Sequence, residues 1–578
     1  MSPIRDRGLR ETLSLAALFV AAAFLRFASP NTEGLWVDEG YTYRVTHRET
    51  AGLVDQLRRD DAPPLYYLAS KGVASLARAF GWTPSPEAEV RLLPAAASLA
   101  AVAVLAWGLG AHPSRWPALL LMSLSSFAVF YGRQGRSYAW VLLWVTASLL
   151  AARSLAGGRR SRAIPLALSL AVLLWSHNIG WTIWSAGFGI FGFLFLKARI
   201  RRRPSALWAW GLGAHAAAAL AFIPWLATGG SQLSYHAATN LWMGQYWEKV
   251  PIAMAPLLSL LVLGPGAPVR PSPPVNLPQA STDLAWLAAL AVTCAVLAAA
   301  VVGLLRSLAR VGGRSGSASP EGDRPAVALE ASYVAIPLLA AWAASLLWTP
   351  SYVLGRTDAV AFPGFVLLAS RGLGALRIRR RRILVGVWCA ASIAFILPLL
   401  GAGTSPRLKS GDRRLAGDLA PLLGPRTLVV HTALTGPSLE TYWDASGIPR
   451  AVAYFPEAQA DNPAAVIPMP HDSVDAYRED ALALRRRLES GQIDRILPLV
   501  RLLPGASPRE ATAEDLVYPH SVLAFVCGGL EPLPILEGAR GQPIVYTQDW
   551  VGGVRLVLDY TRDRLVDLES LGDIEVSP

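Results

Sequence analysis

Two adjacent carboxylates follow the first long apolar stretch of the chain, in the segment LWVDEGYTY that contains Asp38 and Glu39. Charged side chains are costly to hold beside lipid, so acids just outside an apolar helix indicate function. One carboxylate can accept the proton of an attacking hydroxyl as a general base, and a pair can also position a group or hold a cation. The alternative is a solvated loop with incidental acids.

A second polar segment, DDAPPLYY, lies further along the same loop and favours the functional interpretation. We predict that its acids, prolines and first tyrosine line a substrate pocket: Asp60, Asp61, Pro63, Pro64 and Tyr66. The two prolines would alternatively do no more than end a turn before a helix.

Arginines near the ends of later apolar stretches supply positive charge that suits a phosphate, since guanidinium groups stabilise a departing phosphate as it gains charge. We predict that the donor phosphate is bound by Arg91, Arg136, Tyr138 and Arg356, with Arg133 as a further candidate and His177 in the pocket. Simpler roles stay open. Arg136 and Tyr138 would serve as interface anchors, His177 would pack, and Arg356 would pair with Asp358.

The composition is that of a polytopic membrane protein. Of 578 residues, 53% are hydrophobic and only 16% are charged, which excludes an ordinary soluble protein. A spanning helix needs about 20 mostly apolar residues. About eleven segments qualify: 11–28, 91–111, 116–132, 136–156, 163–178, 179–196, 206–227, 283–305, 327–348, 356–376 and 383–402.

The charge distribution predicts the orientation of these spans. Residues 403–578 hold 24 acidic and 17 basic side chains, net −7, so the overall charge of +12 comes from short basic loops between apolar segments. Such loops mark the cytoplasmic side rather than a nucleic-acid partner. The N-terminus is then cytoplasmic, with a first helix that is retained instead of cleaved, and residues 29–90 and 403–578 are extracytoplasmic. This parity requires that 65–80 and 250–264 do not cross the membrane, so we predict an interfacial amphipathic helix at 65–80 and a re-entrant or interfacial segment at 250–264.

The chain after residue 403 has the pattern of a soluble α/β domain, distinct from the membrane domain 1–402. Short β-branched or apolar runs predict strands at 427–433, 451–455, 522–529, 543–550 and 554–560, with helices after the first strand and at 472–490. Pro- and Gly/Ser-rich linkers are predicted at 265–282 and 310–325. The three cysteines, Cys294, Cys389 and Cys527, show neither disulfide nor metal spacing.

Taken in order, the motifs resemble those of the GT-C membrane glycosyltransferases: LWVDEGYTY, DDAPPLYYLAS, Arg91 in VRLLPAAASLAAVAVL, FYGRQGRSYAW, SHNIGW and GRTDAVAFPGFVLLASRGL. The closest branch contains protein O-mannosyltransferases, lipid A aminoarabinose transferases and lipopolysaccharide-core galacturonosyltransferases, and the resemblance covers roughly residues 10–380. It implies a GT-C-type helical fold, a polyprenyl-phosphate-linked sugar donor, and transfer of a hexose-type sugar to an extracytoplasmic cell-envelope glycan, lipid or protein. It also implies that Asp38 occupies the position of the family's catalytic acidic residue, at the start of an interfacial helix.

Two departures from the family pattern bear on metal binding. Ala62 stands where the family usually has a His, and Gln134 stands where it often has an acid. No cofactor is implied with certainty, and a divalent metal remains an option. Two other functions compete with glycosyl transfer: a transporter or lipid flippase, and a non-catalytic assembly protein whose exterior domain binds envelope polymer. A transporter typically contains two related halves and charged residues deep in the membrane, whereas this sequence shows no internal repeat.

Overall fold

The computed structural model describes most of the chain in two compact units. The first unit comprises residues 1–32, 49–83 and 90–404, and the second comprises 33–48, 84–89 and 405–578. The described residues are 3–60, 62–228, 263, 291–299, 301–302, 305, 323–347, 352–400, 412–432, 435–457, 474–503, 506–516, 520–529, 533, 535–537, 541, 543–548 and 553–567.

Long apolar helices build the first unit, as the composition predicts. They are α1 (Pro3–Phe27), α5 (Pro86–Leu109), α6 (Arg115–Leu124), α7 (Ser126–Gly132), α8 (Tyr138–Ala156), α9 (Ala163–Ser176), α10 (Gly180–Ile200), α11 (Ala206–Leu226), α12 (Asp323–Leu347), α13 (Phe362–Gly374) and α14 (Ile378–Leu400). Among the described residues, five of these helices are long and apolar enough to cross a membrane: α5, α8, α10, α11 and α12. The predicted fold class, a mostly helical protein with a C-terminal α/β domain, is confirmed.

Three shorter helices belong to the first loop: α2 (Val37–His47), α3 (Thr50–Arg59) and α4 (Leu65–Ala79). Helix α4 begins directly after Pro63-Pro64 and buries one stripe of residues, Tyr66, Ser70, Ala74 and Ala77, at helical spacing. It is the amphipathic helix expected at 65–80, and its place in the interface stays a prediction. Residues 250–262, 264–290 and 310–322 lie outside the described residues, and with them the predictions for 250–264 apart from Leu263, for 265–282, for most of 310–325 and for about half of 283–305.

The predicted span 116–132 is two helices, because Ser125 between α6 and α7 adopts an extended conformation with ψ of 130°. The Ser125 hydroxyl accepts a hydrogen bond from the Phe127 N–H at 3.2 Å and so caps the second helix. Elsewhere in this unit, Glu330 of α12 lies 3.0 Å from Arg153 of α8 and 3.0 Å from Arg371 of α13, all with little exposure. The ion triad therefore joins three helices.

Among the described residues of the second unit, six strands form a sheet that carries helices on both faces. The strands are β1 (Thr427–Thr432), β2 (Ala451–Phe455), β3 (Arg495–Arg501), β4 (Val545–Gln548), β5 (Gly553–Val557) and β6 (Tyr560–Thr561), in the order β2-β1-β3-β5-β4, with β6 beside β3. The first three strands are parallel, and β5 is antiparallel to β3 and β4. The helices are α15 (Asp412–Leu419), α16 (Gly436–Ala445), α17 (Val474–Glu489) and α18 (His520–Gly528).

Alternate residues of the strands face two separate hydrophobic cores. Val429 packs with Leu439 and Trp443 of α16, whereas Leu428 and Val430 pack with residues of α17 and α18. The C-terminal α/β domain expected from the sequence is therefore present, with two differences in its elements. Residues 520–528 form a helix, so the strand predicted at 522–529 is wrong, and the central strand β3 was not predicted.

Both differences have a physical explanation. The segment VLAFVCGG is buried through Val522, Leu523, Ala524, Val526 and Cys527, and a short run that is apolar throughout has no periodicity to separate a strand from a helix. Strand β3 contains Pro498, which has no N–H to donate and is therefore unusual inside a sheet. Its carbonyl still accepts from the Leu558 N–H at 3.0 Å.

Candidate active site

The acidic pair lies in the first turn of α2. Asp38 is 9% exposed and Glu39 is fully buried. The free N–H groups at a helix N-terminus favour negative charge, so this position suits two carboxylates. The chain enters the helix at Trp36, whose carbonyl accepts from the Gly40 N–H at 2.9 Å. The Asp38 carbonyl accepts from the Thr42 hydroxyl at 2.9 Å, which fixes the backbone of the turn.

Helix α2 packs against α16 within the second unit. The close approach is at Gly40, where an added Cβ atom would lie 2.5 Å from the Cα of Ser438. Such a distance is far inside van der Waals contact, so the approach depends on glycine. This packing was not predicted from the sequence, because nothing local in either segment indicates it.

Both ends of α2 are connected to the start of α5, where Glu87 and Glu89 lie. The Leu35 N–H donates to the Tyr442 hydroxyl at 2.6 Å, and that hydroxyl donates to Glu87 at 2.8 Å. Arg413 donates to the same carboxylate oxygen of Glu87 through Nε at 2.8 Å. At the end of α2, the His47 ring lies 3.4 Å from Glu89. Segments 33–48 and 84–89 of the first loop therefore form part of the C-terminal domain.

Five polar side chains, of which His431 and Glu440 are buried and the others half-buried, form a group that we call the Glu440 cluster: Arg44, His431, Glu440, Arg450 and Tyr454. Arg44 of α2 lies 2.5 Å from Glu440 of α16, and the Tyr454 hydroxyl donates to the same carboxylate. His431 lies 3.7 Å and Arg450 3.9 Å from it. Since β1 and β2 supply His431 and Tyr454, the cluster connects α2 to the sheet through α16.

Burial and charge set the ionisation of this cluster. Burial lowers the pKa of His431 to about 4, and the neighbouring arginines Arg44 and Arg450 add to the effect, so the imidazole is neutral near pH 7. Burial raises the pKa of Glu440, but His431, Arg44 and the Tyr454 hydroxyl outweigh it, so that pKa is lowered and the carboxylate is charged. Arg44 therefore meets a fixed negative charge.

Aromatic and basic residues of the predicted phosphate site meet in the first unit. Arg136 donates to the Tyr67 hydroxyl at 3.3 Å. The ring of Tyr138 lies 4.9 Å from that of Tyr131 and 5.8 Å from that of His177, measured between centroids. The structure thus brings Tyr138 and His177 close together, and it adds Tyr67 and Tyr131, which were not predicted from the sequence.

The loop before α13 joins this group through Tyr131, whose hydroxyl donates to the carbonyl of Gly355. Gly355 has φ of +81°, a conformation that glycine adopts readily. Arg356 is half-buried beside it, and Asp358 is fully buried at the start of the helical segment. The Arg356 position is therefore tied to the aromatic residues around Tyr138.

Two other predicted arginines bind the end of α1 and the turn that follows it. Arg91 is buried and donates to the carbonyl of Pro30. Arg133 donates to the carbonyls of Ala28 at 2.6 Å and Ser29 at 3.3 Å. A cation at a helix C-terminus is favourable because the last carbonyls lack partners in the helix. These contacts give both arginines a structural role, and the phosphate contact of Arg91 stays a prediction.

The residues of the second polar segment flank the start of α4. Asp60 ends α3 and is half-buried, Pro63 and Pro64 are buried, and Asp61 lies outside the described residues. Tyr66 is fully buried with its ring 5.3 Å from that of Tyr67, the partner of Arg136. In the described part of the chain, three or more His, Cys, Asp or Glu side chains nowhere gather to hold a metal ion.

No protein-family model matches the sequence, and no curated protein does. Among solved structures, ArnT from Cupriavidus metallidurans bound to undecaprenyl phosphate aligns with a TM-score of 0.52 at 12% identity, covering 96% of this chain and 99% of that chain. The archaeal oligosaccharyltransferase AglB from Archaeoglobus fulgidus, in complex with an inhibitory peptide and a dolichol-phosphate, aligns with a TM-score of 0.44 at 13% identity, covering 84% and 69%. The similarity to ArnT shows that this chain shares the fold of that protein.

Proposed function

We propose that this protein is a membrane glycosyltransferase that moves a sugar from a polyprenyl-phosphate carrier to an extracytoplasmic acceptor. The observation that carries the proposal is the buried acidic pair, Asp38 and Glu39, in the first turn of a helix that follows α1. The shared fold with ArnT, which is bound to undecaprenyl phosphate in its crystal structure, supports a lipid-phosphate carrier. The transferred sugar is hexose-type, and the acceptor is a glycan, lipid or protein of the cell envelope.

In this proposal Asp38 is the general base. Its carboxylate takes the proton of the acceptor hydroxyl while that oxygen bonds to the anomeric carbon and the carrier phosphate leaves with the electrons of the broken bond. Glu39 supports the position of Asp38. Arg136 and Arg356 stabilise the charge that grows on the phosphate, with Tyr138 beside them. Asp60, Pro63, Pro64, Tyr66 and His177 shape the substrate pocket.

The broken segment α6–α7 bears on the alternative of a transporter. Interrupted helices in transporters offer their free carbonyls to ions. Here the carbonyls of Met122 and Ser123 accept hydrogen bonds from Arg26, at 3.1 Å and 2.9 Å. These carbonyls are bonded within the protein, so the break is not itself evidence for a transporter.

Mass spectrometry of envelope glycans and lipids tests the proposal whatever the identity of the sugar. Cells with the protein should contain a glycosylated product that cells without it lack. Asp38→Asn should abolish the product at wild-type expression, because an amide cannot accept the proton. Asp55→Asn is the matched control, since Asp55 is an exposed acid of the same loop that pairs with Arg59 at 3.0 Å. Normal product from Asp38→Asn would overturn the assignment of the base.

A further inference from the structure

Helix α2 carries the acidic pair, yet its tightest packing is with the C-terminal domain almost 400 residues later in the chain. We infer that the C-terminal domain positions the acidic pair, and that Glu440 is a positioning residue that holds α2 through Arg44. This inference rests on the proposed role of Asp38. On this inference the α/β domain takes part in the reaction by positioning the base, and it is more than a structural element or an acceptor-docking module.

The contacts lie on one face of α2. Gly40 and Arg44 are four residues apart and therefore stack on the same side of the helix. Gly40 meets the backbone of Ser438, and Arg44 meets Glu440 at 2.5 Å. At 3.6 residues per turn, Asp38 lies roughly 160° around the helix from Gly40. The docking face and the proposed base are thus on opposite sides of α2, so docking directs Asp38 away from α16.

Glu440 is itself fixed by the sheet. The Tyr454 hydroxyl of β2 donates to its Oε1, and His431 of β1 lies 3.7 Å from the same oxygen. Its side chain is only 8% exposed. A buried carboxylate that has lost its cation is left as an uncompensated charge, so removal of either partner of the pair is strongly destabilising. Rotation of α2 would break the Arg44 contact and would move Asp38 at the same time.

Three variants test the inference by two measurements on the full-length protein in lipid nanodiscs and in cells. Hydrogen exchange of the peptide 37–47 reports docking, and mass spectrometry of the product reports activity. Glu440→Gln, Arg44→Met and Gly40→Ala should each speed exchange in α2 and lower product formation by on the order of 10- to 100-fold, since small misplacements of a catalytic group have effects of that size. Hydrogen exchange in β1 should stay slow in the Arg44→Met variant, because Arg44 lies outside the two hydrophobic cores of the domain.

Each variant has a matched control. Gly72→Ala adds the same methyl group in the same loop, with nothing within 4 Å to meet it. Arg426→Met and Asp494→Asn break an exposed ion pair of the same domain, 2.6 Å long, that does not touch α2. All three controls should show wild-type exchange and wild-type product.

Rescue separates positioning from general stability. Arg44→Lys keeps a cation that reaches one carboxylate oxygen, so it should restore most of the product that Arg44→Met loses. The double variant Arg44→Met with Glu440→Gln should be no worse than the poorer single variant, because the two residues act as one pair. Wild-type exchange and product in both Glu440→Gln and Arg44→Met would overturn the inference. Faster exchange in α2 together with an active Asp38→Asn would instead overturn the proposed function and leave the docking intact.

Discussion

The guanidinium of Arg26 donates to the carbonyl of Ser123 at 2.9 Å, at the point where α6 ends and α7 has yet to begin. The same side chain donates to Met122 at 3.1 Å, to Ala22 at 3.0 Å and to the Ser98 hydroxyl at 2.7 Å. The last carbonyls of a helix have no intrahelical donor, and they cannot stay unpaired among apolar helices. Arg26 is therefore the residue that stabilises the break in the predicted span at a buried position.

Arg26→Met should lower the free energy of unfolding of the membrane unit by about 2–4 kcal/mol, because it leaves buried carbonyls without donors. Arg26→Lys should lie between, since an ammonium has fewer donors and no planar fork. The midpoint of thermal unfolding in detergent measures both. Arg10→Met on the exposed part of the same helix is the control. Equal midpoints for Arg26→Met and Arg10→Met would contradict the role.

The helices and strands that depend on local sequence pattern were predicted best. The apolar segments form helices wherever the structure describes them. The strands β1 and β2 were predicted from short β-branched or apolar runs, and α16 and α17 from helical patterning. The helix α18 and the strand β3 escaped, since their burial erases periodicity or includes a proline. At the site, Asp38 and Glu39 were identified from charge beside an apolar stretch. The residues that hold their helix in place were not identified, because the pairing of Arg44 with Glu440 depends on tertiary contacts that no local spacing reveals.

Acid should destabilise the C-terminal domain through His431. Its pKa is lowered to about 4 in the folded protein by burial, against an ordinary value of about 6.5 in the unfolded chain. As the pH falls below about 6.5, the unfolded chain binds the proton first, so stability is full above that pH and declines until about pH 4. The loss from this residue is on the order of 3 kcal/mol.

Hydrogen exchange of the β1 peptide 427–432 as a function of pH, corrected for the intrinsic exchange rate, measures this decline. His431→Gln removes the titrating ring and should flatten the dependence between about pH 6.5 and about pH 4. Part of the slope should persist, because burial and the nearby Arg555 and Arg501 lower the pKa of His520 to about 3 and give it the same sign. An identical slope in wild type and His431→Gln would refute the assignment.

The orientation of the C-terminal domain is a separate prediction. Basic loops between the apolar segments place residues 403–578 outside the cytoplasm. A reporter that is active only outside, fused after residue 578, should therefore be active. The same reporter fused after Gly158, beside the basic residues between α8 and α9, should be silent. The reverse result would refute the model of eleven spans.

The donor phosphate is expected at Arg136 and Arg356. Arg136 donates to a tyrosine of α4, and Arg356 directly follows the glycine whose carbonyl accepts from Tyr131, so both residues lie in segments that contact aromatic side chains. A planar fork suits a phosphate that gains charge as the sugar leaves, and loss of such a donor costs on the order of 2–4 kcal/mol in the transition state.

Arg136→Ala and Arg356→Ala should therefore each reduce product formation by on the order of 10²- to 10³-fold, which corresponds to that free energy. Lysine at either position should rescue poorly, because it offers a point charge in place of the fork. Arg58→Ala, which removes an exposed arginine of the same loop, should leave the product unchanged. The measurement is the amount of product per folded protein in cells. If all four changes at Arg136 and Arg356 keep wild-type product, neither arginine touches the phosphate, and its charge must be met by Arg91, Arg133 or a bound cation.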